Sequence, residues 1–128
     1  MSLTVKQQFP ERPCVVAYAP WEEKSGLWYF KHAWHYGSDL GAGRIPDGFE
    51  TDFGSIPSWL RSFVDDDDPR ALCPFMRHDH RYATGALLQT DADQELYDGC
   101  IACGMSRVKA WLIYRAVRMF GGSHYKTK

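Results

Sequence analysis

The residues best placed to do chemistry are His78-Asp79-His80-Arg81-Tyr82. A helix from about Phe75 to Thr84 puts Phe75, His78, Asp79 and Tyr82 at i, i+3, i+4 and i+7, one stripe of its surface. Arg77, His80 and Arg81 fall on the other side. A histidine and a carboxylate thus sit between two aromatic rings on the face expected to point inward. Such a pair costs free energy there unless something satisfies it. Two chemistries would use it. A histidine held by a carboxylate is an oriented general base, the minimum needed to activate a water. Alternatively, Asp79 with a second acid, Asp52, could ligate a divalent cation, Ca or Zn. The structural alternative is a buried His–Asp hydrogen bond that staples two helices, with Tyr82 closing the network.

The next helix supplies the acid. Thr90 and Asp93 have the spacing of a capping box, with Asp in place of Glu. This helix should run to about Cys103 and stop at Gly104. Asp93, Leu96, Tyr97, Cys100 and Gly104 share one stripe, and Asp91, Glu95 and Asp98 share a polar one, so Asp93 is the acid expected to face the core. A connection of about six residues makes the two helices antiparallel, which would set Asp93 opposite His78 and Asp79. The stretch Gly48 to Pro57 has poor periodicity and is dense in Thr51, Asp52 and Ser55, which hydrogen-bond their own backbone. It is either an ordered loop delivering Asp52 to the site or a turn in which Ser55 caps a short helix, Pro57 to Phe63. Ser106 can cap a last helix, Arg107 to Phe120, which is apolar on most faces and so central. Gly121-Gly122 end it.

The first half of the chain reads as strands. Cys14 to Tyr18 is a short one. Leu27 to Tyr36 alternates as a strand, with Trp28, Phe30, His32, Trp34 and Tyr36 on one face, to serve as core or as an interaction surface. The three glycines between Tyr36 and Gly43 suit a hairpin loop, followed by a second strand within Arg44 to Phe49. The expected organisation is one domain: an arm (1–12), a β-rich part (13–50), a polar loop and short helix (51–68), a helical part (69–122) and a tail (123–128). The fold class is α+β, a small antiparallel sheet or hairpin packed on three to four C-terminal helices.

Composition narrows the classes. With 128 residues there is room for one real core, and 45% hydrophobic content suits a globular domain. A net charge of -1 gives no overall electrostatic reason to expect nucleic acid or an anionic membrane. No transmembrane segment is expected, because the longest apolar candidate, Val108 to Phe120, is broken by Lys109, Arg115 and Arg118. The first residues lack the apolar core of a signal peptide, which points to the cytoplasm or a particle assembled there. Four cysteines, Cys14, Cys73, Cys100 and Cys103, then read as small buried apolar groups, with metal or redox use as the alternative. The C-x-x-C of Cys100 and Cys103 falls at a helix end, where the dipole does not favour a thiolate. Asp65 to Asp68 read as a solvated run, since the EF-hand ligand spacing that calcium would want is absent.

Gly48-Phe-Glu-Thr-Asp-Phe-Gly-Ser-Ile-Pro57, then His78-Asp79-x-x-Tyr82, then Asp93 and a closing Gly121, resemble the phage-encoded "domain of unknown function 1353" family over about Leu27 to Gly122. Arg81 departs from that pattern where it prefers leucine, and Leu96 where it has an aromatic. The resemblance implies a bacteriophage or prophage origin, and so a host bacterial cytoplasm or a virion, and supplies no reaction. More distantly, the H-D-x-x-Y helix is similar to that of phospholipases A2, which would make His78 the base, Asp79 a calcium ligand, and Tyr82 with Asp93 the brace. Tyr36-Gly37-x-x-x-Gly41-x-Gly43 is similar to their calcium loop. It lies much further from the His-Asp pair here, and the disulfides are missing, so this likeness reads as convergence. Three functions follow as expectations. One is a hydrolase-like protein acting on host envelope material through His78, Asp79 and Asp93, completed by Asp52 and Ser55. The second is a non-catalytic virion (tail) or assembly protein that pairs with other phage proteins and uses the cluster as a bracket. The third is a small effector acting on the host.

Overall fold

A computed structural model describes residues 4–10, 15–17, 28–51, 73–85 and 87–124. Cys14, Asp52, Ser55, the expected helix Pro57 to Phe63 and the acids Asp65 to Asp68 lie outside the described residues. The elements are α1 (Val5–Gln8), β1 (Val15–Ala17), β2 (Trp28–Phe30), β3 (Trp34–Tyr36), β4 (Gly43–Ile45), β5 (Glu50–Thr51), α2 (Cys73–Thr84), α3 (Gln89–Ala102) and α4 (Arg107–Phe120), followed by a 3-10 turn, Gly121–His124. This is an α+β arrangement: short antiparallel sheets in the first half and three helices in the second. Among the described residues no helix is long and apolar enough to cross a membrane.

The expected single strand from Leu27 to Tyr36 is two strands. Residues 31–33 break it, with Lys31 and His32 exposed, and its halves join different sheets. β2 lies between β1 and β5, pairing Val15 with Phe30 and Tyr29 with Glu50. β3 and β4 form the expected hairpin, with Trp34 opposite Ile45 and Tyr36 opposite Gly43. Period-two alternation holds in β3, where Trp34 and Tyr36 are buried and His35 is exposed, but it cannot reveal the bend before it. The aromatic side chains Phe30, Trp34 and Tyr36 are core. Trp34 stacks between Phe9 and Phe30, at ring separations of 5.8 and 5.9 Å. The N-terminal arm therefore docks: Gln8 and Phe9 are buried, and the Gly37 amide donates to the Gln8 carbonyl at 2.8 Å.

Helix boundaries follow local chemistry. Ser106 caps α4 by accepting from the Lys109 amide at 3.2 Å. At the end of α3, Gly104 takes φ +94°, its amide donates to Ile101, and the Met105 amide donates to Cys100. That pattern is a Schellman closure, open to glycine because a side chain resists positive φ. The expected Thr90–Asp93 capping box does not form. α3 begins at Gln89 after an uncapped Leu88, and Asp93 is turned into the core. The burial of Asp93 against three donors, described below, outweighs the modest gain from a cap. Past α4 the chain continues as a 3-10 turn through His124, where the sequence suggests only a tail.

Two apolar clusters flank α2. Phe75 joins Leu96, Cys100, Ala110, Ile113 and Val117 between the helices. Cys73 and Met76 join Phe9, Phe30, Trp34 and Ile45 beneath the sheets. α2 and α3 run antiparallel and very close: a Cβ on Gly99 would lie 2.6 Å from Arg77 Nη2 and 3.0 Å from Pro74 Cβ. Gly99→Ala adds a better helix former, worth about 1 kcal/mol, but forces apart groups already in contact, costing about 1–3 kcal/mol. Because Arg77 is pinned at both ends of its guanidinium, the second effect should win. Urea denaturation of Gly99→Ala is expected to show a lower midpoint than the wild type.

Candidate functional site: two buried acids on one helix

α3 carries two carboxylates two residues apart, Asp93 and Glu95, and both are buried. Residues i and i+2 of a helix point to nearly opposite sides, so each acid has its own surroundings. α2 answers with two pairs at i, i+4 spacing, offset by one residue. His78 and Tyr82 reach Asp93, and Arg77 and Arg81 reach Glu95.

Asp93 is satisfied from three directions. His78 Nε2 lies 2.7 Å from its Oδ1, and the Tyr82 hydroxyl donates to the same oxygen at 2.5 Å. Arg118, from α4, donates to Oδ2 at 2.9 Å. The His78 and Tyr82 rings are 4.1 Å apart, and Gln89 Nε2 donates to the Tyr82 oxygen at 3.4 Å. With Asp93 ionised, all three neighbours donate, which sets the proton on His78 Nε2. Burial, and then the Asp93 carboxylate, push the Tyr82 phenol well above its ordinary pKa, so it remains a donor. Gly121 leaves room for this: a Cβ there would meet the Tyr82 hydroxyl at 2.8 Å. The side chains of His78 and Asp93 are both 0% exposed, and that of Arg118 is 32% exposed.

Glu95 is held as firmly. Arg81 donates Nε to Oε1 at 3.1 Å and Nη2 to Oε2 at 3.2 Å, and Ser38 donates its hydroxyl to Oε2. Arg77 Nε comes within 3.3 Å of Oε1 but is misaligned, so it is an ion pair without a hydrogen bond. Both arginines then reach the hairpin: Arg77 Nη1 donates to the Gly37 carbonyl at 3.0 Å, and Arg81 Nη2 to that of Gly41 at 2.6 Å. Arg77 Nη2 also donates to the Glu95 carbonyl at 2.9 Å. Burial lowers the Arg77 pKa, with Glu95 opposing, but a guanidinium stays charged at neutral pH. A cavity of about 20 Å³, the size of a water site, lies on this side, bounded in part by Ser38, Arg77, Glu95 and Asp98.

The sequence expectations sort as follows. His78, Tyr82 and Asp93 come together. Asp79 is half-buried, and the carboxylate set against His78 Nε2 is that of Asp93. The Thr51 backbone lies in β5, while Asp52 and Ser55 lie outside the described residues. Among the described residues no group of three or more His, Cys, Asp or Glu side chains is placed to hold a metal; the expected Asp79–Asp52 ligand pair includes Asp52, which lies outside them. The expected outward face of α2 is corrected: Arg77 and Arg81 are buried, and His80 is half-buried against Tyr36 and Phe49. Glu95 is likewise core rather than part of a polar stripe. Tyr36 to Gly43 is the β3–β4 hairpin. Cys73 and Cys100 are buried and Cys103 half-buried, and burial pushes Cys100 up to about 12, far from a reactive thiolate.

A family model described as "Protein of unknown function (DUF1353)" matches residues 28–117. The chain belongs to the DUF1353 family. Neither a curated protein nor a solved structure matches it. The DUF1353 match takes in α2, α3 and both acids, and ends one residue before Arg118, the third donor to Asp93.

Two outcomes are expected. Glu95→Gln removes the negative charge from between two buried guanidiniums and should cost about 3–5 kcal/mol in urea denaturation. His80 has its pKa lowered from 6.5 by burial and then by Arg81, and its Nδ1 faces the Tyr36 hydroxyl at 3.2 Å. The unfolded chain therefore takes up the His80 proton before the folded one does. Stability from this group is full above 6.5 and is lost as pH falls from there through the lowered folded value. Between about pH 7.5 and about pH 5.5, the melting temperature of wild type should fall more than that of His80→Gln.

Proposed function

We propose that this chain is a non-catalytic, phage-encoded virion or assembly protein, in which the His78–Tyr82–Asp93–Arg118 network is an architectural bracket. The supporting observation is the enclosure of the imidazole. His78 Nε2 is committed to Asp93, so catalysis would fall to Nδ1 on the far side of the ring, yet the whole side chain is 0% exposed. A general base must come within hydrogen-bond reach of the proton it removes, and no solvent reaches this ring. The placement of all three donors on Asp93 also suits a bracket, since each comes from a position that ties α2 or α4 to α3. The phage origin is carried by the motif resemblance in Gly48–Pro57 and His78–Tyr82.

A second reading has one observation in its favour. The His78–Asp93 contact of 2.7 Å is that of an oriented base, and Arg118 connects the pair to a half-exposed rim. In that reading the chain is a hydrolase-like protein acting on host envelope material, with Asp79 and Asp52 the expected ligands of a divalent cation.

Two variants separate these readings. His78→Ala leaves a buried acid short of a partner and should lose about 3 kcal/mol of stability. His78→Gln keeps an N–H donor on the same side but cannot act as a base. Under the bracket reading, wild type and His78→Gln show the same rate as buffer on ester, phospholipid and peptidoglycan substrates, with calcium or zinc added. Turnover by the wild type that His78→Gln abolishes, with its melting temperature retained, would overturn it.

A further inference from the structure

The chain as a whole is nearly neutral, but its charges are not mixed evenly. α4 has the sequence Arg-Val-Lys-Ala-Trp-Leu-Ile-Tyr-Arg-Ala-Val-Arg-Met-Phe: four basic residues, no acid, and no Ser, Thr, Asn or Gln. Its inward face is Ala110, Ile113, Ala116 and Val117, all buried. At 100° per residue, Val108, Trp111, Leu112, Arg115 and Met119 fall on one outward arc. Four of these are apolar and open to solvent: Val108 is 69%, Trp111 53%, Leu112 37% and Met119 65% exposed. Arg115 lies in the middle of the arc, its guanidinium 5.8 Å from the Trp111 ring centre, and Arg107 and Lys109 are exposed on the first turn.

We infer that this face of α4 docks on an anionic lipid bilayer. A face made only of large apolar and cationic side chains calls for a partner that is apolar below and negative above. Trp and Arg both suit that boundary, each with an apolar body and a polar end. The same pattern disfavours a second copy of the chain. Two α4 helices packed symmetrically would bring Arg115 and its basic neighbours against their own likenesses, with no acid on either helix to offset them. It also lacks the hydrogen-bonding side chains that usually make the rim of a protein–protein interface. Net charge gives no hint of such a surface, because it sums α4 with the acids of the rest of the chain. It stands apart from the bracket reading of His78, since none of the residues invoked touches that network.

The test uses the whole chain and vesicles of phosphatidylcholine, with or without about three parts in ten of phosphatidylglycerol, separated by sedimentation. Binding is expected with phosphatidylglycerol and not with phosphatidylcholine alone, and should weaken as salt screens the charges. The double variant Lys109→Gln/Arg115→Gln should bind more weakly by about fivefold for each charge removed. Trp111→Ala should lose about tenfold. Both variants alter exposed side chains, so their melting temperatures should match the wild type. Failure to bind anionic vesicles, equal binding to both vesicle types, or indifference to both variants would overturn the proposal. So would self-association in sedimentation velocity that Trp111→Ala abolishes, which would give the surface to a second copy. Binding to polyglutamate as tight as to the vesicles would give it to an acidic protein.

Discussion

The structure depends on giving hydrogen-bond and charge partners to two carboxyl groups that are buried in it. An isolated charge in a protein interior is costly by several kcal/mol, and only well-made partners repay that. α3 buries Asp93 and Glu95 on two different sides, and the neighbouring elements must then bring donors to both. α2 contributes three, His78 and Tyr82 to one acid and Arg81 to the other, while Arg77 pairs with Glu95 by charge. α4 brings Arg118, and the β3–β4 hairpin brings Ser38. The apolar clusters supply most of the burial, but they would tolerate some slippage of one helix along another. The hydrogen bonds do not, because moving α2 by one turn would take one of its two partners from each acid at once.

This also explains why the hairpin sits where it does. Arg77 and Arg81 reach past Glu95 to the carbonyls of Gly37 and Gly41, at the two ends of the β3–β4 turn. A turn exposes carbonyls that no strand partner satisfies, and here two guanidiniums satisfy them. The arginines have donors enough for both tasks. Phe9 and Tyr36 cover their faces, with the guanidinium carbons 4.6 and 4.9 Å from the respective ring centres. The result is one continuous polar seam running from the hairpin through α2 to α3, and a second from α2 through α3 to α4.

Much of this was legible in the sequence, and what was missed has a common cause. The α+β order, the β3–β4 hairpin, the cap at Ser106, the stop at Gly104 and the inward turn of Asp93 opposite His78 all follow from local chemistry or single-face periodicity. Arg77, Arg81 and Glu95 were assigned to water because a stripe argument assumes one buried face. α2 has two, one against α3 and α4 and the other against the sheets, so eight of its residues from Cys73 to Tyr82 are buried. A signal was present. Arg77 and Arg81 repeat the i, i+4 spacing of His78 and Tyr82, one residue earlier, and Glu95 follows Asp93 by two. Two matched sets of donors and acceptors on consecutive helices argue for two interfaces rather than one. Arg118 had no such signal, because an arginine near a helix end also reads as a favourable charge on the macrodipole.

The arrangement of charge has a consequence beyond stability. α4 carries no acid, so the charges on its solvent side are all cationic, while two of the acids of α3 are buried. A buried Asp93 neutralises Arg118 but does nothing for Arg107, Lys109 or Arg115, which lie toward the other end or the outer arc of the helix. A surface of that composition is not required by the core, since Ala110, Ile113, Ala116 and Val117 already seat α4. The outward Trp111, Leu112, Val108 and Met119 contribute little to folding and keep apolar area in water, which a free-standing domain gains nothing from presenting. The inner face of α4 thus answers to the acid on α3, whereas none of the described residues calls for the apolar and cationic side chains of its outer face.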